Sequence, residues 1–240
     1  MVINLYQSYY DTTQIEHLSV DCIPFDNTKN ESPELREYPL FKGVKELEKD
    51  NHNHWGLLSW RFQEKTLITP KEFKDWIQQN PGHDVYYIDP FLDVSVSYPN
   101  LWVQGERWHP GLFEYFERLM QYICPEISAK DVLYHPNDFV TCNFFVGNNM
   151  FWHEYFTFVD SIISLSKVDS LMNYYMFEHK VQYNGQQITY FSFIIERLLS
   201  LYFYLNPSIN KNKFPIEHEC FHKKYGENHS ILVNHYKSRL

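Results

Sequence analysis

The chain has 240 residues, 44% of them hydrophobic and 21% charged, with a formal net charge of −9 at pH 7. That length and apolar content suit one sizeable core and exclude a disordered tail protein. The acidic balance excludes broad nucleic-acid binding, which needs a basic face to neutralise phosphate.

In chain order, VINLYQSYY (2–10) is rich in β-formers and predicts an opening strand; it has neither the basic start nor the apolar centre of a signal peptide. SVDCIPFDN (19–27) predicts a second short strand that runs into the loop DNTKNES. Ser32-Pro33-Glu34 resembles a helix start, and the following ELREYPLFKGVKELEKD predicts a helix in two pieces, broken near Pro39 and Gly43. HWGLLSWRF (54–62) predicts a buried strand. Thr69-Pro70-Lys71-Glu72 supplies an N-cap, a proline at the first position and an acidic first turn for the helix KEFKDWIQQ, which Asn80-Pro81-Gly82 stops. DVYYIDPF (84–91) is the next predicted strand. Strands alternating with helices predict an α/β layer with a largely parallel sheet, whose ligands bind outside the carboxyl ends of the strands. Those ends carry Gln7, Ser8, Asp26, Asn27, Arg61 and Asp89.

Near residue 95 the pattern becomes helix-rich. Apolar residues at helical spacing predict helices over 109–123, 148–172 and 188–205, with VTCNFFVG (140–147) as a strand and one further helix in the polar tail. The reading is a single domain over 1–240, with an α/β part at 1–95 and a helix-rich part at 96–240. FSFIIERLLSLYFYL (191–205) carries Glu196 and Arg197 and is too short and too charged to span a bilayer. Four scattered cysteines suggest ordinary buried thiols, so the expected location is the cytoplasm. Lys211, Lys213, Lys223, Lys224, Lys237 and Arg239 make the C-terminal end more basic, as a solvated surface or as a peripheral contact with anionic lipid.

Several strings bear on chemistry. HECFH (218–222) matches H-E-x-x-H, in which His218 and His222 hold zinc and Glu219 is the general base. The extended form of the motif asks for a histidine where Asn228 stands, and no carboxylate follows Glu227, so the third ligand is missing. DNHNH (50–54) sets Asp50, His52 and His54 at alternate spacing, as a metal half-site or a polar turn. NLWVQGERWHPGLF (100–113) predicts a loop in which Glu106, Arg107 and His109 offer a base and a cation, or a surface ion pair with Trp108 as a lid. Arg61, at the end of an apolar strand, and Glu196-Arg197, inside an apolar helix, call for buried partners or for a ligand.

INLYQSYY, IPFDNTKNESPELREYP and HWGLLSWRFQEKT together resemble the N-terminal part of bacterial capsular-polysaccharide and surface-glycan glycosyltransferase-like proteins. QGERWHPG, CNFFVGNNMFWHEY and ERLLSLYF are similar to their helical half, so the likeness runs over residues 2–205. The resemblance implies a GT-A-like α/β domain that moves a sugar from a nucleotide-sugar donor to a surface-glycan acceptor. It implies Gln7, Ser8, Asp26 and Asn27 near the donor nucleotide and Arg61, with Arg107, near its diphosphate. Asn143 and Glu196 would face the acceptor, with Glu106 as general base and His109 or Asp89 as alternatives. The family's metal-binding D-x-D is absent from the sequence. Arginine is therefore expected to stabilise the leaving group with no cofactor required, a divalent Mn or Mg ion being the alternative. Two other functions stay open: a non-catalytic carbohydrate-binding or assembly protein that keeps the fold, and, remotely, a zinc metallopeptidase.

Overall fold

The structure, a computed structural model, describes residues 1–29, 35, 37–48, 53–183 and 185–240; Ser32-Pro33-Glu34, Asp50 and His52 lie outside them. Eight strands are present among the described residues: β1 (Val2–Tyr9), β2 (Ile23–Asp26), β3 (Asn53–Ser59), β4 (Val85–Tyr87), β5 (Phe145–Asn148), β6 (Lys180–Tyr183), β7 (Gln186–Thr189) and β8 (Lys211–Lys213). Six form one sheet in the order β2-β1-β3-β5-β4-β8, and β6 and β7 form a separate antiparallel hairpin. Within the sheet β1 runs parallel to β2 and β3, and β4 parallel to β8, while β5 runs antiparallel to both its neighbours. The mixed, largely parallel α/β sheet expected from the sequence is therefore present. It also draws β5 and β8 from beyond residue 95, so the helix-rich half completes the sheet rather than standing apart from it.

Strand side chains alternate between two faces. On one face lie Trp55, Leu57, Val85, Tyr87 and Phe145. Helices α1 (Tyr38–Leu47), α7 (Asn149–Val168) and α9 (Phe191–Leu205) cover it through the ring pairs Phe41–Phe145, Trp55–Trp152 and Tyr87–Phe203. On the other face Leu58, Tyr86, Ile88, Phe144 and Val146 pack against α2 (Phe62–Thr66), α3 (Pro70–Gln79) and the tail helices α10 (Glu219–Tyr225) and α11 (His229–Ser238). Short helices α5 (Leu101–Glu106) and α8 (Ser170–Asn173), with α6 (Leu112–Ile123), complete the first layer, and α4 (Leu92–Ser97) sets Leu92 and Val96 into the second.

Several local readings differ from the expectation. Helix α1 is continuous: Pro39 sits in its first turn, where no N–H is needed, and Gly43 lies inside it, where a Cβ would press on the Phe25 ring at 3.1 Å. The segment 100–113, expected as a loop, opens with helix α5, because the Asn100 side chain accepts from the N–H groups of Trp102 and Val103. The predicted strand 84–91 ends at Tyr87, and the predicted helix 188–205 begins only at Phe191, after β7. The tail forms two helices instead of one.

The centre of the sheet is held by two indoles. Trp55 and Trp152 stack 4.0 Å apart at 8°, and Trp152 Nε1 donates to the Trp55 carbonyl at 2.9 Å. Next to Trp55, Gly56 lets β5 approach closely: a Cβ there would press into the Phe145 carbonyl oxygen and the Val146 side chain. Gly56→Ala is expected to lower stability by about 1–3 kcal/mol through overpacking. A fall in the urea midpoint at unchanged slope is the measurement that checks it.

Candidate functional site

Where the strands of the main sheet finish, a cleft of about 250 Å³ opens between α4, α5, the hairpin β6–β7 and the first half of α9. Gln104, His109, Thr141, Tyr183, Glu196 and Arg197 line it with Phe91 and Phe193. Helix α9 turns Glu196 toward the strand ends because Phe203, seven residues on along the same stripe, packs on Tyr87 of β4.

Asp89 stands just past β4 and is 1% exposed. Its carboxylate accepts from the Thr141 hydroxyl and from the Phe91 N–H at 3.3 Å, and the Lys213 ammonium lies 3.5 Å away. Lys213 also donates to the Pro136 carbonyl at 3.1 Å, and burial pulls its pKa down although Asp89 opposes the shift. This carboxylate is an anchor within the fold and not an open base.

Two more ammonium groups border the cleft region. Burial works against the charge of Lys65, but the fields of Cys142, Glu37 and Glu196 outweigh it and raise its pKa. Burial pushes the Cys142 thiol up to about 12. Lys224 donates to the Lys65 carbonyl at 2.9 Å and lies over the Phe91 ring, and burial lowers its pKa. Asn143, buried just before β5, donates to Glu37 at 2.8 Å.

His109 stacks on Phe193 with ring centroids 3.6 Å apart. Burial, and then the positive field of Arg197, push its pKa down to about 4, so the imidazole is neutral at pH 7. Arg197 is itself buried and donates to the carbonyls of Leu101 (2.9 Å) and Phe193 (2.6 Å) and to Gln104 Oε1 (3.1 Å).

Of the residues singled out in the sequence, His109 and Glu196 line the cleft; Asp89 is tied to it through Thr141, and Asn143 through Glu37 and its field on Lys65. The others lie elsewhere. Glu106 accepts from the N–H groups of Gly111 (3.0 Å) and Phe113 (2.8 Å), so its carboxylate caps α6 instead of facing a substrate. Arg107 is exposed beside the Tyr98 hydroxyl and over Trp108, which is 64% exposed and is no lid. Gln7 is buried on the opposite sheet face, where it bonds the Ser59 carbonyl and the Ser19 N–H. Ser8 is buried at the end of β1; Asp26 is exposed and accepts from the Thr28 N–H; Asn27 donates its N–H to the Tyr9 carbonyl. Arg61, exposed just past β3, forks onto Glu64 three residues on; it does not line the cleft but lies close enough to feel Tyr183, which does.

The HECFH string does not make a zinc site. His218 is the N-cap of α10, with Nδ1 accepting from the Cys220 N–H, and Glu219 is paired with Lys223 at 2.6 Å. Among the described residues no three His, Cys, Asp or Glu side chains converge on a common point. At the sheet edge Asp89 is already engaged by the Lys213 ammonium. The basic tail is likewise no free patch: Lys211 pairs with Asp138, Lys237 with Glu217, and Arg239 donates to backbone carbonyls. No helix among the described residues is long and apolar enough to cross a membrane.

Sequence reasoning passed over Lys65, Gln104 and Thr141, and took Lys213 and Lys224 only as part of a basic C-terminal surface. Lys65 alone left a local signal, four residues after Arg61 on the turn that follows β3. Lys213 and Lys224 reach the edge from more than a hundred residues beyond Asp89 and Lys65 respectively.

No family model matches the chain, and no curated protein matches it. Among solved structures it is similar to the apo form of WbbM, a bifunctional glycosyltransferase, with a TM-score of 0.54 and 16% identity over 89% of this chain. The match covers 44% of that protein, so the chain spans less than half its length. The likeness is one of fold, and the fold is that of a glycosyltransferase structure.

The His109 shift has a stability consequence. Unfolded, this side chain takes up its proton near 6.5, and folded only near 4, so unfolding binds a proton between those values. Its contribution to stability is present above pH 6.5 and declines as the pH falls toward 4. His109→Gln is expected to flatten the loss of melting temperature between pH 7 and pH 4.5, read from thermal midpoints of both proteins.

Proposed function

We propose that the chain is a glycosyltransferase domain that moves a sugar from a nucleotide-sugar donor to a hydroxyl group of a surface-glycan acceptor. The observation that carries the reading is a cleft at the strand ends of a glycosyltransferase-like sheet, whose lining among the described residues includes the carboxylate Glu196 and the neutral imidazole His109. Ligands of open α/β sheets bind at that edge. In the reaction the acceptor oxygen forms the new bond to the sugar's anomeric carbon, the bond from that carbon to the diphosphate breaks, and the acceptor proton goes to Glu196. His109 orients the acceptor by hydrogen bonding; with a pKa of about 4 it is a weaker base at pH 7 than an ordinary histidine.

The departing diphosphate needs fixed positive charge. Arg61, Lys65 and Lys224 supply it on this reading. An exposed ion pair is worth only ~0–1 kcal/mol, so Arg61 exchanges Glu64 for a phosphate at little cost. The guanidinium fork matches phosphate oxygens in the way it matches a carboxylate.

Glu196→Gln is expected to lower turnover by about 10²–10⁴-fold while leaving nucleotide-sugar affinity nearly intact, measured by transfer of labelled sugar and by donor titration. Unchanged turnover would remove Glu196 from the role of base. Transfer is expected to persist in EDTA, and Arg61→Ala to weaken nucleoside diphosphate binding about tenfold or more. A strict Mn²⁺ or Mg²⁺ requirement would count against cationic side chains as the sole leaving-group stabilisers. The rival reading, a carbohydrate-binding protein without catalysis, predicts no thermal stabilisation by any nucleotide or nucleotide sugar.

A further inference from the structure

We infer that the cleft receives a sugar bearing a negative charge, a carboxylate or a phosphate, and that Arg197 is the group that reads it. That this sugar is the acceptor rests on the glycosyltransferase reading; the anion site stands on its own geometry.

Arg197 is 8% exposed and lines the cleft together with Gln104 and His109. Among the described residues no carboxylate lies within ion-pair distance of it. Its hydrogen bonds go to two backbone carbonyls and one neutral amide. A guanidinium has five N–H donors, so donors remain beyond the three that are used. Burying such a charge is costly unless it is both hydrogen-bonded and paired. Here the hydrogen bonds are present and the counter-charge is not.

The neighbours do not make up the deficit. Burial lowers the Arg197 pKa to about 10, which leaves it fully charged at neutral pH. His109 is uncharged there, and Arg197 is one of the two causes. The next residue, Glu196, favours the charge through its field, a smaller effect than the burial that opposes it. Room for the guanidinium is itself built in, since a Cβ at Gly105 would stand 2.5 Å from Nη2. If the only task were to tie α5 to α9, a neutral donor would meet the same acceptors without the cost of the charge. A ligand anion entering the cleft supplies the missing counter-charge, and a fork of two N–H groups suits carboxylate and phosphate oxygens alike.

The test compares D-glucose, D-glucuronate and D-glucose 6-phosphate by isothermal titration against the wild-type chain and the variant Gln104→Glu. The variant is nearly isosteric and sets a carboxylate where Oε1 now accepts from Nη2, so it neutralises the cation from within. Wild type is expected to bind at least one charged sugar about tenfold or more tightly than glucose, and the two charged arms tell carboxylate from phosphate. Gln104→Glu is expected to melt at a higher temperature and to lose that preference. A purely structural Arg197 would give the same rise in melting temperature with sugar binding unmoved. Equal affinity for charged and neutral sugars in wild type, or a preference that survives in Gln104→Glu, overturns the inference. Nucleoside diphosphates are titrated separately. Nucleotide binding without a charged-sugar preference sinks this inference alone, and a charged-sugar preference without nucleotide binding sinks the glycosyltransferase reading alone.

Discussion

The edge of the sheet depends on one buried ion pair, Lys213 with Asp89. β4 and β8 lie side by side and parallel, and each ends in a residue of this pair or just short of one. The Asp89 carboxylate also gathers the Thr141 hydroxyl, on the approach to β5, and the Phe91 N–H, at the start of α4. Three segments that border the cleft are thereby fixed to a single point. A pair of this kind adds little net stability, because desolvation offsets much of the attraction, but removing one partner strands a buried charge at a cost of about 3–5 kcal/mol. Its effect is on position more than on stability: it sets where Thr141 stands, and with it one wall of the cleft.

Two arginines show how the same side chain is handled in opposite ways along that edge. Arg61 is exposed and holds a private carboxylate, Glu64, one turn away. Arg197 is buried and holds none among the described residues, only carbonyl and amide oxygens. Water screens the first charge, so its partner is easily exchanged. The second sits in a low-dielectric wall, where its field reaches farther and already suppresses protonation of His109. Net charge conceals this arrangement: a chain of −9 places a buried guanidinium beside the cleft where its strands end.

The parts of the fold legible in the sequence are those written in local chemistry. The N-cap, first-position proline and acidic first turn of α3 are visible in Thr69-Pro70-Lys71-Glu72 and form as read, closing into a capping box, and the alternation of strands and helices gives the sheet its class. Local reading fails where a residue's role is set by a distant neighbour. Gly43 and Gly105 look like helix breakers, yet one admits the Phe25 ring and the other admits Arg197. Glu106 looks like a base because it stands in a polar stretch, but two backbone N–H groups downstream decide its role. HECFH matches its pattern letter for letter, while the helix it requires begins one residue too late. The Asp89–Lys213 pair joins positions 124 apart and leaves no pattern to find.

On the proposed reading, the absent D-x-D does not leave the edge without a means of holding an anion. A metal motif places carboxylates together so that a cation can bridge them to phosphate. Here Asp89, the first carboxylate past the end of β4, is occupied by an ammonium of the chain, and past β3 the sequence turns to Trp60-Arg61, with Lys65 a turn further on. Cations carried by the chain arrive already placed and need no ligand set. Their limit is that each carries one charge, so a doubly charged leaving group asks for more than one of them. On the proposed reading the short helix α2 answers that need by following Arg61 with Lys65; the tail helix α10 brings Lys224 to the Lys65 carbonyl. On the proposed reading, α10 packs against the sheet to deliver that third cation, and this gives the C-terminal segment a reason to return to the site.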